Sequence, residues 1–145
     1  MKDLEIILRR ENYRQIKFRI TKSQHLLIQA EINQVKGRFI LDTGASNTCV
    51  CVRNVDLFQL YAKDSDAKAV GAGASDIQTQ LAQNNNLKIG KWKSTDFNVI
   101  IIDLSHVNGV LAHFRTKPVQ GIIGADVLMK GKAIVDYANN FLYLK

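Results

Sequence analysis

Proline occurs once in this 145-residue chain, at Pro118, tryptophan once, at Trp92, and cysteine twice, at Cys49 and Cys51. Two thiols cannot build a disulfide framework, and a reducing, cytoplasmic setting is the expectation. The two cysteines sit two apart on a predicted strand. We expect them on its opposite faces, unable to bridge each other. They also supply too few ligands for a zinc site. His25, His106 and His113 form no H-E-x-x-H and no close pair, so neither metal nor cofactor is expected. Long apolar runs are missing as well. The longest, Val99–Ile102, stops at Asp103 and is far too short to cross a bilayer, so no membrane partner is expected. The opening "MKDLEIILRREN" puts Asp3 and Glu5 ahead of a small apolar patch and then more charge, which is not a signal-peptide pattern. No low-complexity segment or linker interrupts the chain, and its length suits one domain over residues 1–145.

Charge is unbalanced, with 20 basic against 13 acidic residues and a net charge of +7. The bases, among them Lys17, Arg19, Lys36, Arg38, Lys91 and Lys93, are scattered in runs of no more than two. That spacing predicts a solvated surface and argues against a nucleic-acid partner.

Alternation dominates the first half. Ile16, Phe18 and Ile20 alternate with Lys17 and Arg19; Leu26, Ile28, Ala30 and Ile32 alternate with polar residues; Phe39–Leu41 follows. Short strands joined by turns such as "TKSQH" and "NQVKG" predict an antiparallel, β-rich domain. Residues 3–11 fit a short helix or an edge strand equally. "NVDLFQLY" from Asn54 predicts a short helix, while "KDSDAK" and "AQNNN" predict loops. "FNVIIID" predicts a central strand, and residues 103–120 an irregular segment. "GIIGADVLMKG" predicts an apolar pair between glycines and then a short helix stopped by Gly131. "AIVDYANNFLYLK" predicts a terminal hairpin.

One stretch carries chemistry. Phe39-Ile40-Leu41 delivers a carboxylate, Asp42, into the small residues Thr43, Gly44, Ala45 and Ser46. An Asp at a strand end commonly caps a turn. Here Gly44 permits a close approach to the backbone, Thr43 adds a hydroxyl, and a distant Gly121-Ile122-Ile123-Gly124 supplies a second apolar pair ending in glycine. Asp42-Thr43-Gly44-Ala45 resembles the D-[ST]-G-[AS] signature of aspartic proteases. Ile122-Ile123-Gly124 is similar to the apolar-apolar-Gly motif that passes beneath the active-site loop in that family. "GAGAS", Gly71, Ala72, Gly73, Ala74 and Ser75, stands where the family has its flap. The resemblance is strongest to the retropepsin-like group, notably its bacterial single-domain members, and runs from about Ala30 to Lys145.

The resemblance implies a mainly β fold with one or two short helices, a single-lobed retropepsin-like barrel. Residues 1–29 then stand as a candidate N-terminal extension. It implies an aspartic endopeptidase acting on extended polypeptide, with Asp42 catalytic and Thr43, Gly44, Ala45 and Ser46 forming the active-site loop. Ile122, Ile123, Gly124 and Asp126 would support that loop, Ser46 would bond toward the carboxylate, and Gly71–Ser75 would close over substrate. The chain holds one D-[ST]-G, so it brings half of a carboxylate pair and implies a homodimer. Asp136, with no glycine after it, reads as structural. Two other classes are carried alongside: a non-catalytic dimeric peptide-binding module on the same fold, and a basic nucleic-acid-binding barrel.

Overall fold

The computed structural model describes residues 2–71 and 74–145, and the side chains of all of these except Lys2 and residues 65–78. Helix α1 (Lys2–Arg10) opens the chain. Asp3 and Glu5 sit in its first turn and Arg9 and Arg10 in its last, the arrangement that complements the helix dipole. An Arg9–Glu5 pair at 3.0 Å adds to it. Leu8 is its buried anchor. The helical alternative for residues 3–11 is therefore the one realised.

Strand β1 (Arg14–Lys17) pairs with β11 (Phe141–Leu144), and β11 pairs with β10 (Ile134–Asp136), making a three-stranded antiparallel sheet. The larger sheet runs in the order β2 (Arg19–Ile20), β3 (Leu26–Ile32), β4 (Val35–Leu41), β9 (Gly121–Ile123), β5 (Cys49–Cys51), β8 (Trp92–Ile102), β7 (Ala74–Ile89), β6 (Ala62–Gly71). A further pairing of β3 with β7, Ile32 opposite Leu87, closes six of these strands into a barrel. The ladder is not wholly antiparallel, as the alternation suggested: β4–β9 and β5–β8 are parallel. Parallel neighbours need long connections, and both pairs join segments far apart in the chain.

Two apolar layers sandwich the β4–β9–β5 region. Inside the barrel lie Phe39, Leu41, Val50, Val99, Ile101 and Ile123. On the outer face Ile40, Cys49, Cys51, Ile102 and Ile122 pack under Leu111 of α2 (Ser105–His113). Burial on both faces is why these strands read as continuous apolar runs. It also corrects the cysteines: Cys49 and Cys51 face the same side, as alternate strand residues must, with Val50 on the other. Their side chains stand abreast, and both thiols are free.

Four local expectations are overturned. "NVDLFQLY" makes no regular helix. A 3-10 turn, Val52–Asn54, is followed by turns that close at Gln59, whose φ is +56°. Buried Phe58, packed against Phe39, fixes that shape. "KDSDAK" lies in β6 and "AQNNN" in β7. In β7 the turn chemistry survives as a bulge: Asn84 has φ +62°, and the buried Asn85 amide donates to Ala82 O and Phe97 O at 3.1 and 3.2 Å. Residues 103–120 hold a third helix, α2, besides α1 and α3 (Ala125–Lys130). Asn108 ties it down, its amide exchanging bonds with the Val119 N–H (2.8 Å) and C=O (3.2 Å).

Candidate active site

Asp42 leaves β4 as its first residue beyond the strand. Its N–H donates to Ile123 O at 3.0 Å, so β9 fixes where it emerges. Its Oδ1 accepts the Gly44 N–H at 2.8 Å, and its carbonyl accepts the Ala45 N–H at 3.2 Å. The result is a tight Asx turn. A Cβ on Gly44 would stand 3.3 Å from Oδ1, so glycine leaves that bond uncrowded. Thr43, Gly44 and Ser46 are exposed at the loop's crest, and Ala45 is buried beneath it.

The underside of the loop rests on the β9–α3 junction. Ala45 O accepts the Ala125 N–H at 2.7 Å. A Cβ on Gly124 would lie 2.7 Å from Ala45 O and 2.8 Å from the Asn47 carbonyl, so only glycine passes there. Ile122 and Ile123 of β9 are buried on opposite sides of the sheet and hold this junction at its depth.

Asp126, at the start of α3, spends its carboxylate on the same loop. It accepts Thr48 N–H at 2.9 Å on Oδ2, and Thr48 Oγ1–H at 2.7 Å and Val127 N–H at 2.8 Å on Oδ1. Thr48 Oγ1 in turn accepts the Gly124 N–H at 3.1 Å. Ser46 makes no hydrogen bond among the described residues; fully buried Thr48 is the residue that braces. Asp136 lies elsewhere, in the β10–β11 turn, and accepts from the Asn139 N–H and side-chain amide, each at 3.1 Å. Those bonds, the side-chain amide first, hold it below the usual carboxylate range. Asp42 differs from both: half-buried, its Oδ2 has no partner among the described residues.

Asp42 lines a cleft of about 300 Å³ together with Ile40, Ile122, Val107, Val110, His25 and His106. His25 Nδ1 lies 2.7 Å from Ser23 Oγ, itself 2.9 Å from Thr21 Oγ1, so the ring is oriented by the turn before β3. Beneath the site, burial first, then the carboxylates of Asp126 and Asp42, push the Cys49 thiol up to about 12. It stays protonated and is no nucleophile at neutral pH. Thr48, His25 and His106 are the site residues that sequence reading passed over. Thr48 follows the signature loop within two positions of Ser46, but its partner Asp126 is known only from the fold. Nothing in the local sequence marks the histidines.

Of the expected flap, Gly71 ends β6 opposite Ala74 of β7, where Ser75 follows. Ala72 and Gly73 lie outside the described residues.

An Asp-Thr-Gly loop seated on an Ile-Ile-Gly strand and a short helix, at the side of a closed barrel, is the retropepsin-like aspartic protease fold. Solved structures agree. A retropepsin-like aspartic protease from Rickettsia conorii superposes with a TM-score of 0.61 at 17% identity, covering 91% of this chain and 89% of that one. The retroviral protease-like domain of Ddi1 from Leishmania major gives 0.56 at 17%, with 88% and 90% covered. EIAV protease, complexed with the inhibitor HBY-793, gives 0.57 at 16%, with 81% and 98% covered. Curated protein sequences yield no match. A family model described as aspartyl protease matches residues 28–127, and the chain belongs to that family. No helix among the described residues is long and apolar enough to cross a membrane.

Proposed function

We propose that this chain is an aspartic endopeptidase that works as a homodimer, with Asp42 and the Asp42 of a second copy sharing one water and one proton. The observation that carries the reading is the contrast among carboxylates. Asp126 and Asp136 are committed to structural hydrogen bonds, whereas Asp42 keeps Oδ2 free at an apolar cleft. In aspartic proteases two carboxylates about 3 Å apart cannot both ionise, so one acts as base toward water and the other as acid toward the leaving nitrogen. The exposed crest, Thr43 and Gly44, is the natural meeting surface for a two-fold partner, because an isologous interface sets each residue against its own copy. Thr43 would then lock the two loops, and Gly44 would leave room for the substrate backbone. We assign the β6–β7 hairpin, including Gly71–Ser75, to closing over an extended peptide.

Asp42→Asn is the test. Peptide cleavage should fall by about 10³-fold or more, while circular dichroism and sedimentation stay those of the wild type. A variant that cleaves like the wild type sinks the reading. A non-catalytic peptide-binding module is the second reading, favoured by the apolar cleft itself, which needs no second carboxylate to hold a side chain. Under it the wild type binds peptides and never cuts them.

A further inference from the structure

A groove of about 450 Å³ lies outside the Asp42 cleft. Four of the bases scattered along the sequence, Lys17, Arg19, Lys36 and Arg38, line it together with Gln29 and Gln120, and no carboxylate does. Arg38 is half-buried and anchored: Nε–H and Nη2–H both donate to Pro118 O, at 3.1 and 2.9 Å, which leaves N–H groups on a guanidinium with no acid partner among the described residues. The nearest acid in register, Glu31 opposite Lys36, is turned to Lys88 at 3.8 Å. Gathering four like charges raises the local potential and disfavours the compact state until an anion arrives.

The groove and the cleft lie along one strand, β4. Lys36, Arg38 and Ile40 alternate along β4, so they share a face, and Ile40 also walls the cleft beside Asp42. At about 3.4 Å per residue Lys36 lies roughly 20 Å from Asp42, the span of about six extended residues, while Arg19, opposite Leu27 and so level with Ile40, lies nearer. The groove's one aromatic, Phe18, is buried and offers no face on which a base could stack. Arg19 belongs to β2, the terminal strand of the larger sheet, whose outer edge is open to an added strand. We propose that this groove is an exosite for an acidic segment of a polypeptide substrate, set about six residues from the residue held in the cleft. The proposal rests on the cleft being a polypeptide site.

Binding is measured on the full-length Asp42→Asn protein, so the readout needs no catalysis. The probe is a fluorescent peptide carrying one leucine and, about six residues away, a run of glutamates; its control has glutamines in their place. The glutamate peptide should bind, and Arg19→Gln with Lys36→Gln, both exposed positions, should weaken it at least tenfold. Lys91→Gln with Lys93→Gln on the β7–β8 hairpin should change it less than twofold. Equal binding of the glutamine peptide, equal losses in both double variants, or tighter groove-dependent binding of a single-stranded RNA each overturns the inference. So does no binding at all, in which case Lys17 and Arg19 serve only to blunt a sheet edge. If the wild type cleaves peptides while the acidic probe fails, the exosite falls and the protease reading stands. If the probe binds and the wild type never cleaves, the opposite holds.

Discussion

Asp42 and Asp126 carry the same carboxylate into opposite circumstances, and Thr48 makes the difference. Its hydroxyl and N–H occupy both oxygens of Asp126 and tie the Asp42 loop to α3. Thr48→Val keeps the shape and removes the hydroxyl, leaving the Gly124 N–H buried and Asp126 short of a donor. We expect a loss of about 1.5–3 kcal/mol in urea denaturation, with Thr48→Ser recovering most of it. Cys49 gives a pH test. Its thiol, ordinarily 9.0, is raised to about 12 by burial first and then by Asp126 and Asp42. Between those values the native state holds a proton the unfolded state has lost. The raised value costs nothing below about pH 9, and stability then declines by up to about 1.4 kcal/mol per pH unit as pH rises. Cys49→Ala lacks this slope, so the stability gap between wild type and variant should narrow from pH 8 to pH 10. A constant gap would mean that Cys49 ionises as freely folded as unfolded.

At the scale of elements, α2 is the piece on which the cleft depends. It supplies Val107, Val110 and His106 to one wall and buries Leu111 against the outer face of the sheet. Leu111→Ala should cost about 2–5 kcal/mol of unfolding free energy and raise KM for peptides more than it lowers kcat, because the wall loosens while Asp42 stays anchored to Ile123. Asp103 caps the approach to this helix, accepting the Ser105 hydroxyl and N–H, which hold it below the usual carboxylate range. That contribution is present above its unfolded value of 3.8 and is lost as pH falls through the lower folded value. The helix was illegible in sequence for a physical reason. "SHVNGVLAH" contains Ser, Asn and Gly, all poor helix formers. The Asn108 bonds to Val119 and the burial of Leu111 override that weak preference. "AQNNN" misled in the same way: three asparagines signal a turn, yet Asn85, bonded back to Ala82 and across to Phe97 of β8, carries the chain through as a bulged strand. By contrast "GIIGADVLMKG" was legible because its glycines, apolar pair and helix act on their immediate neighbours.

At the scale of the molecule, the proposed chemistry makes activity depend on concentration. Each chain brings one Asp-Thr-Gly, so specific activity should fall on dilution in step with the dimer fraction seen by sedimentation. A monomer that cuts peptides at constant specific activity would contradict this. In the terminal sheet β11 is already flanked by β1 and β10 of its own chain, so the proposed second copy could add no strand directly beside β11.

The sequence alone determined the strand periodicity, the carboxylate set after an apolar run, and the glycine-bounded pair that lies beneath it. These are relations between near neighbours, where alternation and backbone freedom are written residue by residue. Only the tertiary structure decided that Asp126 spends both oxygens while Asp42 keeps one free, that β4 and β9 run parallel, that both cysteines share one face, and that four dispersed bases converge on one groove. Those outcomes depend on pairings between distant segments, which are set by how the sheet closes and which faces it buries.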